Sequence, residues 1–212
     1  MLDRMKLIGL LAACLVGSAA LAQEHGTPAG SPADAAVELR MGMRKLWEDH
    51  ITYTRNFIIS ALADLPDTGP VAQRLLKNQE DIGMAIKPYY GSEAGDKLTA
   101  LLKEHIMIAA DIVKAAKTNQ KEQVTELQQK WSKNGKDIAA FLGGANPKWS
   151  KTSLEDMLQK HLDLTTGEVV SRLQKDWKTD IEFYDRGHEH MLMFADMLSD
   201  GIVQQYPARF KR

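Results

Sequence analysis

SEAGDKLTALLKEHIMIAADIVKAAK, residues 92–117, decides the fold class. Leu98, Leu102, His105, Ala109, Ile112 and Ala116 recur at intervals of three and four, the period of one helix face and not the alternation of a strand. The same period runs outward in both directions. Proline stands at 28, 32, 66, 70, 88, 147 and 207, and it breaks helix interiors. The long stretches between prolines therefore read as helices. Six are predicted: 34–64 with Trp47, His50, Thr54, Phe57 and Ala61 as its stripe; 70–87 with Leu75, Gln79, Ile82 and Ile86; 92–117; 120–142 with Val124, Leu127, Trp131, Ile138 and Leu142; 153–175; and 178–205. Pro88-Tyr89-Tyr90-Gly91 should stop the second and Gly143-Gly144 the fourth, and Thr152 with Glu155 should form a capping box for the fifth. Long helices on short loops pack as antiparallel neighbours, so the expected fold is all-α, an up-and-down bundle occupying 34–206 as one domain.

Upstream of the bundle, residues 1–22 read as an export signal: Arg4 and Lys6, an apolar run from Leu7 to Ala20, then Ala20-Leu21-Ala22 as a cleavage site. Residues 23–33, rich in Gly, Pro, Ala and Ser, read as a flexible leader. The sole cysteine, Cys14, lies in the apolar run, and the alternative is a lipoprotein signal with the lipid anchor on Cys14. The expected location is periplasmic or secreted. Ordinary cleavage leaves no cysteine, which removes disulfides, thiolate ligands and cysteine nucleophiles. Elsewhere no apolar run reaches the length of a membrane helix. The 27 basic and 28 acidic residues nearly cancel, so nothing favours a nucleic-acid partner.

The candidate chemistry comes from comparing helices. Glu104-His105 followed by Asp111 matches Glu189-His190 followed by Asp196 in register, with apolar residues between. A weaker match pairs His50 and Thr54 with His161 and Thr165. An internal two-fold repeat would bring His50, His105, His161 and His190, one per major helix, toward a shared interior, which is where bundles build metal sites. Imidazole suits iron, copper and zinc. His188 competes with His190 for the inward position. Thr54 and Thr165, each one turn beyond a histidine, are candidate partners for the rings. Glu168 is the candidate carboxylate ligand or support. Met191, Met193 and Met197 make copper one of the options. The nearest approach to the Glu-x-x-His pair of di-iron bundles is Asp185 with His188, occurring once, and no phosphate loop or nucleophile elbow is present.

Four strings also carry a resemblance: Asp49-His50 with Thr54-Arg55-Asn56; Arg74 through Gly83; Tyr89-Tyr90-Gly91; and Ala195 through Ile202. Together they resemble a group of secreted bacterial helical proteins of unknown function, over most of the chain that follows the leader. The resemblance implies secretion and a helical fold and brings no activity. Members sometimes carry names such as glycosyltransferase or acetylglutamate kinase, activities that use α/β folds with nucleotide-binding loops, whereas nothing here reads as a strand. The expected function is binding of a transition metal (iron, copper or zinc) or a metal cofactor through His50, His105, His161 and His190 or His188. The alternatives are a ligand-binding or interaction module with structural histidines and a contact surface at Asn78–Gly91, and an enzyme using histidine and Glu168 as acid and base.

Overall fold

The computed structural model describes residues 32–210. The expected signal, Cys14 and all but the end of the leader lie outside them. Among the described residues there are five α-helices and a 3₁₀ turn, and no strand: α1 Pro32–Leu62, α2 Thr68–Lys117, α3 Lys121–Ala145, α4 Lys151–Leu173, α5 Trp177–Gln205 and η1 Pro207–Arg209. Consecutive helices pack together and α5 closes the ring against α1. The last pairing is antiparallel, as shown by Arg40–Asp200, Arg44–Asp196, His188–Glu48 and Arg55–Asp180, in which the residue numbers run in opposite directions. None of the helices is long and apolar enough to cross a membrane.

Helix count and helix ends depart from expectation in instructive ways. The predicted second and third helices are the two arms of α2, divided at Gly91 (φ 84°, ψ 168°), a conformation open to glycine that falls inside the expected Pro88-Tyr89-Tyr90-Gly91 stop. Pro88 does not end the helix; it lies inside it. At Gly91 the chain folds back, so Lys87 meets Asp96 at 2.6 Å and Glu80 meets Lys103 at 2.6 Å across an αα-hairpin. The hairpin is tight because Gly83 and Gly95 face each other: a Cβ on Gly83 would stand 2.6 Å from the Gly95 carbonyl oxygen and collide with Thr99. The carbonyls left unpaired where the helix stops are taken up by the C-terminal segment, with Tyr206 Oη donating to Tyr89 O and Arg209 to Pro88 O. Gly143 and Gly144 also lie within a helix, and α3 runs on to Ala145. The cap of α4 is Ser150, whose hydroxyl accepts from Ser153 N, so the Thr152 box is not the helix start.

At the opposite end, three loops reverse through Asp64, Asn119 and Lys175 at φ 53–60°, left-handed positions filled without glycine. The core divides along the bundle axis. A large cluster around Trp47, Ile82, Ile138, Leu154 and Phe194 fills the Gly91 end, and two smaller ones, around Trp131 with Leu162 and around Ile58 with Val169, fill the other.

Gly83→Ala is expected to destabilise the bundle by about 1–3 kcal/mol, because the obstacle is a backbone carbonyl that cannot rotate away. A thermal melt followed by circular dichroism checks this; an unchanged midpoint would show that the hairpin can open.

Candidate functional site

Between the large and small core clusters lies a layer of histidines. His50 from α1, His105 from α2, His161 from α4 and His190 from α5 are all buried, at 2, 3, 3 and 7% exposure. Three of the rings are in contact: His161 lies 5.5 Å from His50 and 5.8 Å from His105, centroid to centroid. Trp47 packs edge-on to His50 on one side, and Trp131 lies against His105 at 5.1 Å on the other. The local sequence produces this because each histidine occupies a stripe position where its neighbours are core residues such as Trp47, Leu101 and Leu158.

Buried imidazole needs a hydrogen bond, and here amides supply it. Asn134 Nδ2 donates to Leu101 O and to Glu104, so its Oδ1 is free to accept from His105 Nδ1 at 2.8 Å. That places the His105 proton on Nδ1 and leaves a lone pair on Nε2. Gln79 Nε2 donates to Leu75 O and makes a longer 3.3 Å contact to His50 Nδ1. His190 Nε2 donates to Met157 O at 2.8 Å, leaving its lone pair on Nδ1. His161 is different: its Nδ1 is buried without a partner. Burial holds three of the rings uncharged. It takes His50 down to about 3, assisted by the proximity of His105, and His105 down to about 4 against its bond to Asn134. His161 is held well below the ordinary range by burial and then by His50, His105 and His190.

Several expected members fall elsewhere. His188 is on the surface, 3.3 Å from Glu48, so the inward position belongs to His190. Glu168 is buried beside Arg55 at 2.8 Å, and Arg55 also bridges to Asp180, which takes a further bond from Arg172. It serves an ion cluster joining α1, α4 and α5, where burial pushes its carboxyl up to about 7 despite Arg55. The threonines do not orient the rings: Thr54 Oγ1 is buried and unpartnered, and Thr165 lines a cavity below the layer. Met193 faces outward and Met191 is core. The two helices of the proposed repeat differ at their equivalent histidines, His105 bonding Asn134 through Nδ1 and His190 bonding Met157 O through Nε2. Asn78 and Gln79, expected on a contact surface, are completely buried, with Asn78 donating to Leu46 O.

The residues that the sequence reading passed over are Asn134 and Gln79 as partners of the rings. Both had a signal: each is an amide at an apolar stripe position, where it must find a buried partner.

Among the described residues no three His, Cys, Asp or Glu side chains stand close enough to hold a metal as they are. Two imidazoles on one ion at 2.0–2.1 Å have centroids roughly 5 Å apart, so the observed spacing is slightly wide. No family model, curated protein or solved structure matches the chain.

The uncharged layer makes stability depend on pH with a definite sign. Unfolded histidine takes a proton below about 6.5, whereas these rings resist it until far lower, so their contribution is full above that value and is lost as pH falls. Glu168 acts oppositely, its folded form keeping a proton up to about 7, which offsets one of the three. The net is about 3 kcal/mol lost per pH unit between pH 6 and 5. Denaturant titrations at pH 7, 6 and 5 check this; a flat profile would contradict the neutral layer. Asn134→Ala, which leaves the His105 N–H without an acceptor, is expected to cost about 1–3 kcal/mol at pH 7 in the same assay.

Proposed function

We propose that the protein binds one first-row transition metal ion (iron, copper or zinc) at His50, His105 and His161, with His190 completing the set or supporting it. The observation that carries this reading is the contact of three uncharged imidazoles from three helices, one of which, His161, has a buried nitrogen with no partner. A metal consumes such lone pairs, and neutral imidazole is the form that ligates. His105 already carries the outer bond of a ligating histidine, N–H to a carbonyl oxygen, which fixes the tautomer and turns Nε2 away. The rings do not hold an ion as they stand and would have to turn toward a common point to do so. With no thiolate and no carboxylate in the layer, the chemistry of the donor set favours an all-nitrogen site used for holding, buffering or redox cycling of the ion. Export, by the N-terminal signal read from the sequence, would place this work in the periplasm or outside the cell.

The expected outcome is a one-to-one complex with zinc(II) or cobalt(II) by titration calorimetry, lost in a His50→Ala/His161→Ala variant that remains helical. Because the rings are already unprotonated, binding at pH 6.5 should release almost no protons, seen as a heat that does not change with buffer. Absence of uptake of zinc, copper and iron by the folded wild type would overturn the reading and leave the histidines a structural role. His188→Ala, at the surface, should leave uptake unchanged.

A further inference from the structure

Directly beneath the histidine layer the bundle is hollow. A cavity of about 60 Å³ is walled by α1, α2, α3 and α4, from Thr54 and Trp131 at its inner end to Ala116 and Val170 at its outer end. It lies between the two small core clusters and explains why they are separate. Its inner end adjoins the layer: Thr54 is one turn from His50, Thr165 one turn from His161, and Trp131 contacts the His105 ring. Val170, at the outer end, is exposed.

Three features define what fits. The wall contains no charged side chain, which excludes ions. It is mostly apolar, and water needs two to four polar partners to settle there. Two donors nearby, the Thr54 hydroxyl and the indole N–H of Trp131, are buried without acceptors and have no surface on the hollow, so the space presents few polar atoms. The volume is well under the ~150 Å³ that admits benzene and near that of two waters. A short, uncharged and weakly polar molecule meets these conditions.

We infer that this cavity is a binding chamber for a small uncharged diatomic molecule of the dioxygen or nitric oxide class, sited to deliver it to the histidine layer. Delivery rests on the metal reading of that layer; occupancy of the chamber does not.

Dioxygen is paramagnetic, so it serves as its own probe. In the metal-free protein under dioxygen pressure, methyl signals of Ile58, Ile106, Ile112, Val113 and Val169 should relax several-fold faster than those of Ile138, Leu154 and Ile202 at the other end, with Ile58 and Ile138, both 1% exposed, as the matched pair. Ala109→Leu, which fills the chamber, should remove the difference. Equal relaxation of the two methyl groups in the wild type would overturn the inference whatever the variant does. In cobalt(II)-loaded protein, nitric oxide should change the absorption spectrum, and Ala109→Leu should weaken the change while still binding cobalt. A spectrum indifferent to nitric oxide would overturn delivery. Failure to load cobalt, with the chamber methyls still responding to dioxygen, would remove the metal reading and with it delivery, and would support occupancy alone.

Discussion

Uncharged imidazole in a dry core is the constraint on which the rest of this structure depends. A protonated ring at His50, His105 or His161 would place charge where water cannot reach it and next to another ring of the same kind. The bundle therefore holds these groups neutral, and it must satisfy as many of their nitrogens as it can. Asn134, Gln79 and the Met157 carbonyl are there for that purpose. Each comes from a different helix element, so the polar layer fixes the register of α1, α2, α3, α4 and α5 at one level. A slip of one turn along any helix would strand an amide or an imidazole in apolar surroundings, at a cost of about 1–3 kcal/mol per group. Apolar contacts supply the stability of the bundle, and the layer selects which alignment of the helices is stable.

The apolar parts on either side are arranged to allow this. At the Gly91 end the glycine pair of the hairpin draws its two arms together, and Tyr206 and Arg209 close the carbonyls that the turn exposes. Packing there is dense and continuous. At the other end the helices carry smaller apolar residues, Ala109, Val113 and Val169 among them, and leave a hollow adjoining the rings. The ion cluster of Arg55, Glu168, Asp180 and Arg172 binds α1, α4 and α5 at this looser end. Short ion-pair and hydrogen-bond contacts take the place of packing there. Removing Arg55 alone would leave Glu168 without its cation and Asp180 with Arg172 alone.

Much of this was legible in the chain. Three- and four-residue spacing sufficed for the all-helical fold, because long apolar stripes such as Leu98 to Ala116 admit no other regular structure. The same spacing put His50, His105, His161 and His190 inside. Helix boundaries were harder. Gly143-Gly144 look like a stop, but glycines in the last turn of a helix cost little enough to be tolerated. The hairpin's position at Gly91 depends on backbone freedom that a spacing pattern does not encode. Glu168 was misplaced for a related reason: it shares a helix face with His161 but lies two turns away, near Arg55, and pairing across helices is invisible to periodicity. The amides were visible as polar residues on apolar stripes, but their partners became identifiable only once α1 met α2 and α2 met α3.

The central claim is that the three touching histidines share one metal ion. X-ray absorption on the protein loaded with one equivalent of zinc or cobalt addresses it most directly, because imidazole gives a characteristic outer-shell scattering pattern. The account predicts three or four nitrogen neighbours at about 2.0–2.1 Å with imidazole outer shells, and loss of that pattern when His161 is replaced by alanine. A shell of oxygen neighbours without imidazole scattering, unchanged by that replacement, would contradict it.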